Sequence, residues 1–156
     1  MINKKGFTRV EIIIVIVLLF ILGAIVYFAV DPFVKMAEDR DNVRRSEVVS
    51  LLTAIQKFKM DTSHLPAGLD SNTSTSQVIG LGRNACDLAC GAVTTEASCV
   101  DLSNDLVGGK YLDSIPTDPR SGNDGNTDYY INLTESGRIT VGACDPENAN
   151  TISVSR

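Results

Sequence analysis

Glu11 stands alone at the head of a long greasy run. After "KKGFTRVE" the chain reads "IIIVIVLLFILGAIVYFAV", residues 12–30, without a single charge. A carboxylate beside such a segment costs up to roughly 2.5–3.5 kcal/mol if it lies deep in an apolar medium, so it calls for a partner. Arg9 sits two positions earlier, a spacing that does not bring side chains together on a helix, and the run itself holds no base. A group from another chain would answer. Cys86, Cys90, Cys99 and Cys144 are a second set. In an oxidising compartment they make two disulfides, in one of three connectivities, each of which joins Cys144 to one of the other three. Zinc is the weaker alternative, because C-x3-C-x8-C has neither paired C-x2-C knuckles nor a histidine close by. The third set lies in "DPRSGNDGNTD", residues 118–128, where Asp118, Asn123, Asp124, Asn126 and Asp128 surround two glycines. Oxygen-rich side chains on a bending loop suit calcium, although the spacing is not an EF-hand's and Asp/Asn/Gly clusters are mostly turns.

Nothing here is arranged for catalysis. The one histidine, His64, falls in a turn, no nucleophile has a base beside it, and no Gly-rich phosphate loop is present. An enzyme is therefore not expected. The formal net charge of −5 argues against a strong nucleic-acid footprint. Residues 12–30 as a helix span roughly 29 Å, about one hydrocarbon core. Lys4 and Lys5 precede them, and basic flanks stay on the cytoplasmic side, which places everything after Val30 outside. An ordinary secretory signal would have a shorter apolar core and an A-x-A-like cleavage site. The cysteines then lie outside, where disulfides form.

Beyond the apolar run, Asp31-Pro32 restarts the helix, with the acid as cap and proline in the first turn. Val48, Leu51, Leu52, Ile55 and Phe58 recur at helical period and predict a face packed on a sheet. Arg40, Arg44, Arg45, Lys57 and Lys59 around that stripe are read as solvated. "DTSHLPAG" stops the helix, and residues 69–77, "LDSNTSTSQ", read as an exposed loop. "DYYINL" and "GRITVGAC", joined by "TESG", predict a hairpin. The fold class is α+β: a long N-terminal helix, its first half transmembrane, laid across a small antiparallel sheet. A simple membrane-anchored binding domain that never polymerises satisfies this outline, with Glu11 incidental.

The stretch "KKGFTRVEIIIVIVLLFILG" resembles the processing and assembly signal of type IV pilin precursors and type II secretion pseudopilins. The resemblance implies a leader at residues 1–6, cut between Gly6 and Phe7 by a membrane prepilin peptidase, with Phe7 N-methylated as the mature terminus. It also implies the type IV pilin fold. Residues 7–30 would be the transmembrane and filament-core half of the helix, 31–62 its amphipathic half, and 63–156 an exported globular domain. Glu11 becomes the fifth mature residue, whose carboxylate meets the terminal amine of a neighbouring copy, so that two costly charges offset each other. Arg9 departs from the apolar residue usual at its position; it could snorkel to headgroups. Implied partners are copies of the chain itself, a membrane platform and a cytoplasmic assembly ATPase. The subunit would wait in the cytoplasmic membrane, N-terminus inside, before joining a filament. "GKYLDSIPTDP" and "DYYIN" are similar to the major-pseudopilin-like branch, which carries calcium in the corresponding loop. Two functions share this physics: a surface pilus for adhesion, motility or DNA uptake, and a periplasmic secretion piston. The disulfides and the Ser/Thr-rich loop favour the pilus. Cleavage removes Lys4 and Lys5 and takes the side-chain charge from −5 to −7, which makes direct nucleic-acid binding still less expected.

Overall fold

A computed structural model of the chain describes residues 6–29, 31–70, 72–82, 86 and 90–156. Lys4 and Lys5, with the rest of the leader before Gly6, and Val30 lie outside the described residues. The chain forms two compact units, the first ending at Met36 and the second running Ala37–Arg156.

The first unit is dominated by α1, Arg9–Ala29. Its 21 residues span roughly 31 Å at the α-helical rise, and it is long and apolar enough to cross a membrane. It is apolar all round rather than along one stripe, and its side chains are exposed, Phe20 at 77% and Phe28 at 82%. A helix of this kind is stable only inside lipid or among other helices.

The second helix, α2, covers Pro32–Thr62. Asp31 caps it: Oδ1 accepts the Phe33 N–H at 3.1 Å, and Pro32 takes the first helical position, where its missing N–H costs nothing. At the other end Ser63 adopts a left-handed φ of 63° and turns the chain away. Val48, Leu51, Leu52, Ile55 and Phe58 are all buried, as their period requires. They pack with Leu102, Leu106, Tyr129, Ile131 and Val141 in one core.

Four strands make the sheet: β1 Gln77–Val78, β2 Tyr129–Leu133, β3 Ile139–Ala143 and β4 Ser153–Ser155, all antiparallel and ordered as in the sequence. The β2–β3 hairpin is the one expected, closed by Thr134 N–H to Arg138 O at 2.8 Å with Gly137 at a φ of 74°. β1 corrects the reading of residues 69–77 as exposed loop throughout, since Ser76 and Gln77 are buried, Gln77 paired with Ile131 of β2 and Ser76 bridged to Thr95. Alternation along β2 divides the sheet's two faces. Tyr129 and Ile131 join the α2 core, whereas Tyr130 joins Val78, Cys86 and Cys144 in a second, smaller cluster.

That second cluster is stapled. The disulfides are Cys86–Cys99 and Cys90–Cys144, with sequence separations of 13 and 54. In the chain-entropy account these are worth about 3 and about 4 kcal/mol. Cys144 directly follows β3, so its bond fastens the cysteine-rich segment to the sheet. On the same face Gly142 pairs with Tyr130, whose ring lies over it; an added Cβ would collide with the ring carbons and hydroxyl of Tyr130. Gly142→Ala should therefore cost about 1–3 kcal/mol through overpacking, read as a lower melting temperature with both disulfides still formed.

Candidate functional site

Two polar assemblies stand out, one in each unit. In the first, Thr8 and Glu11 close the N-terminal end of α1 on each other. Thr8 N–H donates to Glu11 Oε2 at 3.2 Å, and Glu11 N–H donates to Thr8 Oγ1 at 3.2 Å. This is a capping box, T-x-x-E, in which two backbone donors without helical partners are satisfied reciprocally. The carboxylate also lies at the positive pole of the helix, a favourable place for an anion. The pattern is present in the sequence as "TRVE". Glu11 thus has a hydrogen-bonding partner inside its own chain, although no ion pair among the described residues. Gly6 and Phe7 precede the cap as exposed, non-helical residues.

The second assembly was missed. Arg44, read as solvated, is fully buried and makes four hydrogen bonds: Nε to Asp118 Oδ2 at 2.5 Å, Nη2 to Asp118 Oδ1 at 3.0 Å, and Nη1 to Asp41 Oδ1 and Glu147 Oε1, both at 2.9 Å. Arg40 grips Glu147 in a bidentate pair, both contacts 2.6 Å, and Arg120 reaches it at 3.3 Å. Asp41 in turn accepts the backbone N–H groups of Glu147, Asn148 and Ala149 at 2.8–3.0 Å. Three carboxylates and three guanidiniums tie α2 to the loops at 118–121 and 145–149. Next to them Tyr129 OH donates to Glu47. Arg45, Lys57 and Lys59 are exposed, as expected.

The charges respond to this setting. Burial, the largest influence, pushes the Asp41 carboxyl up, but the three backbone donors and Arg44 outweigh it and hold it at about 2. Glu147 is held at about 2 chiefly by the Arg40 hydrogen bond. Asp118 also lies low: desolvation is overcome by Arg44 and by the N–H groups of Arg120 and Ser121. Glu47 and Asp128 go the other way, raised mainly by burial.

The proposed calcium loop is built around this cluster. Asp118 spends both oxygens on Arg44, and Oδ1 also accepts from Arg120 and Ser121 N–H. Asn123 and Asn126 are brought face to face by a pair of backbone hydrogen bonds, and Asn123 Oδ1 caps the turn between them by accepting Gly125 N–H at 2.9 Å. Asn126 Oδ1 takes the N–H of Asp128, which is buried, while Asp124 is exposed. A calcium ion in this loop would have to do without Asp118, whose cation is Arg44. Among the described residues no three His, Cys, Asp or Glu side chains group as a metal site requires. His64 is an exposed turn residue, its ring edge-on to Phe58. No family model, curated protein or solved structure matches the chain.

Proposed function

We propose that the chain is the structural subunit of a type IV pilus-like filament, cut between Gly6 and Phe7, methylated on Phe7 and polymerised through α1. The carrying observation is α1 itself: a helix apolar on every side, with one carboxylate fixed at its N-terminal turn. Such a helix needs lipid first and sister helices afterwards. Removal of the leader would create an ammonium at Phe7, at the positive pole of a helix, where its own macrodipole repels it. A carboxylate on a neighbouring copy stabilises that ammonium, and the contact does not close on itself, which is how one subunit type makes a fibre. The reading needs no catalysis by this chain; cutting, methylation and extraction from the membrane fall to the peptidase, platform and ATPase.

A surface pilus is favoured over a secretion piston by the two disulfides, which suit a subunit facing the environment. Mass spectrometry of the protein from cells that produce it tests the proposal. The expected N-terminal peptide begins at methylated Phe7; a mature population beginning at Met1 overturns it. Electron microscopy of sheared cells separates the two filaments, since surface fibres containing the chain are expected and their absence from a processed, assembled protein would move the assignment to the piston.

A further inference from the structure

The unit from Ala37 onward carries a pocket that neither the helix nor the ionic cluster uses. Its volume is ≈ 330 Å³, room for one long side chain. Leu102, Val107 and Ile115 give it an apolar floor, and Asp101, Asp113 and Asp124 stand around it, with no lysine or arginine among the described residues that line it. Asp101 is engaged locally, accepting the Ser103 N–H and hydroxyl at 2.8 and 2.6 Å. The side chains of Asp113 and Asp124 make no hydrogen bond or ion pair among the described residues. An apolar hole with an acidic lip selects an apolar group flanked by cations.

The same unit carries such a group. Met60 is 73% exposed, the most exposed large apolar side chain among its described residues, and Lys57 and Lys59 beside it are exposed and make no ion pair among the described residues. Methionine fits irregular apolar hollows well because it is unbranched and polarisable. Charge favours the pairing: mature subunits at −7 repel one another within a screening length of about 8 Å, and setting opposite charges face to face offsets that repulsion where copies meet. We propose that this pocket receives Met60 of a second copy, with Lys57 and Lys59 of that copy against Asp113 and Asp124. Knob and pocket share no residue. A copy that fills a neighbour's pocket therefore still offers its own to a third copy, which is what a heterologous, non-closing contact requires. The inference rests on the filament assignment and names a second contact for it, outside α1.

Paired charge reversal in the full chain tests it, with sheared filament yield as the readout. Lys57→Glu/Lys59→Glu and Asp113→Lys/Asp124→Lys should each lower the yield about tenfold or more, and all four together should restore most of it. All four residues are exposed, so unchanged melting and disulfide content in each variant serves as the folding control. Wild-type yield from either reversal, or a quadruple variant no better than its parents, overturns the contact while leaving the filament standing. Loss from the pocket reversal alone means another occupant and also overturns it. If wild-type chains form no filament, the function proposed above falls first.

Discussion

Arg44→Met should destabilise the chain by about 3–5 kcal/mol, the usual cost of removing one partner from a buried ionic group. For a chain of this size that is a fall of about 10 °C or more in melting temperature. The loss is not spread evenly. Glu147 keeps Arg40 and Arg120, and Asp41 keeps three backbone donors, whereas Asp118 loses both of its charged contacts and retains only neutral donors, the N–H groups of Arg120 and Ser121 and the Ser121 hydroxyl. Adding Asp118→Asn to the variant should therefore recover part of the loss, and the two changes should be strongly non-additive.

Acidification gives the same prediction a second readout. Asp41 and Glu147 are held at about 2, below the ordinary values of about 3.9 and 4.3. Groups depressed in the folded state stabilise it above their unfolded pKa, and that contribution disappears as the pH falls from about 4.5 through 2. Glu47 and Asp128, raised by burial, have the opposite sign: their contribution is present at low pH and is lost as the pH rises through their folded values. Without Arg44 the Asp41 and Asp118 carboxyls shift upward, so protonation near pH 4 relieves the variant while it does little for the wild type. Melts of the full chain in detergent should show a deficit that is large at pH 7 and clearly smaller at pH 4. Equal deficits at the two pH values, or a variant melting within a degree or two of wild type at pH 7, would mean that the cluster does not hold the fold.

How this cluster escaped a reading of the sequence is instructive. The spacing that exposed the core stripe extends backward: Arg44 is four residues before Val48, and Asp41 three before Arg44, so both lie on the buried face of α2. Periodicity located them; residue type overruled it, because an isolated arginine belongs in water and nothing local signals that Asp118 and Glu147, more than seventy residues away, will arrive to neutralise it. The hairpin was legible because its register and turn are local, with Gly137 supplying the left-handed conformation the turn requires. The two outer strands were not. β1 is two residues long and β4 reads "SVS", and each exists through pairing with a distant strand rather than through its own propensity. The cysteines were recognised as disulfide formers, but which one meets Cys144 depends on how the segment folds against the sheet, and that is tertiary information. At the N-terminus the reverse holds. The capping box is wholly local and was there to be read.

The capping box also sharpens what Glu11 must do, because it supplies a use for the carboxylate that requires no second chain. Glutamine at the same position can make the same reciprocal hydrogen bonds and lacks only the charge. Glu11→Gln and Glu11→Ala are therefore expected to separate from each other in helix capping, where the alanine change costs about 1 kcal/mol, yet to fail together in assembly. On the proposed function, truncating one member of a desolvated charge pair costs about 2–5 kcal/mol, which lowers filament yield by well over tenfold, while the chain should remain in the membrane and still be cut before Phe7. Thr8→Ala is the complement: it weakens the cap and leaves the acid, and its filaments should be reduced far less. Sheared fractions from the three variants, normalised to membrane content, carry the comparison. If Glu11→Gln chains polymerise as well as wild type, the carboxylate is a helix cap and nothing more, and the ammonium of a neighbouring copy must find its counter-charge elsewhere.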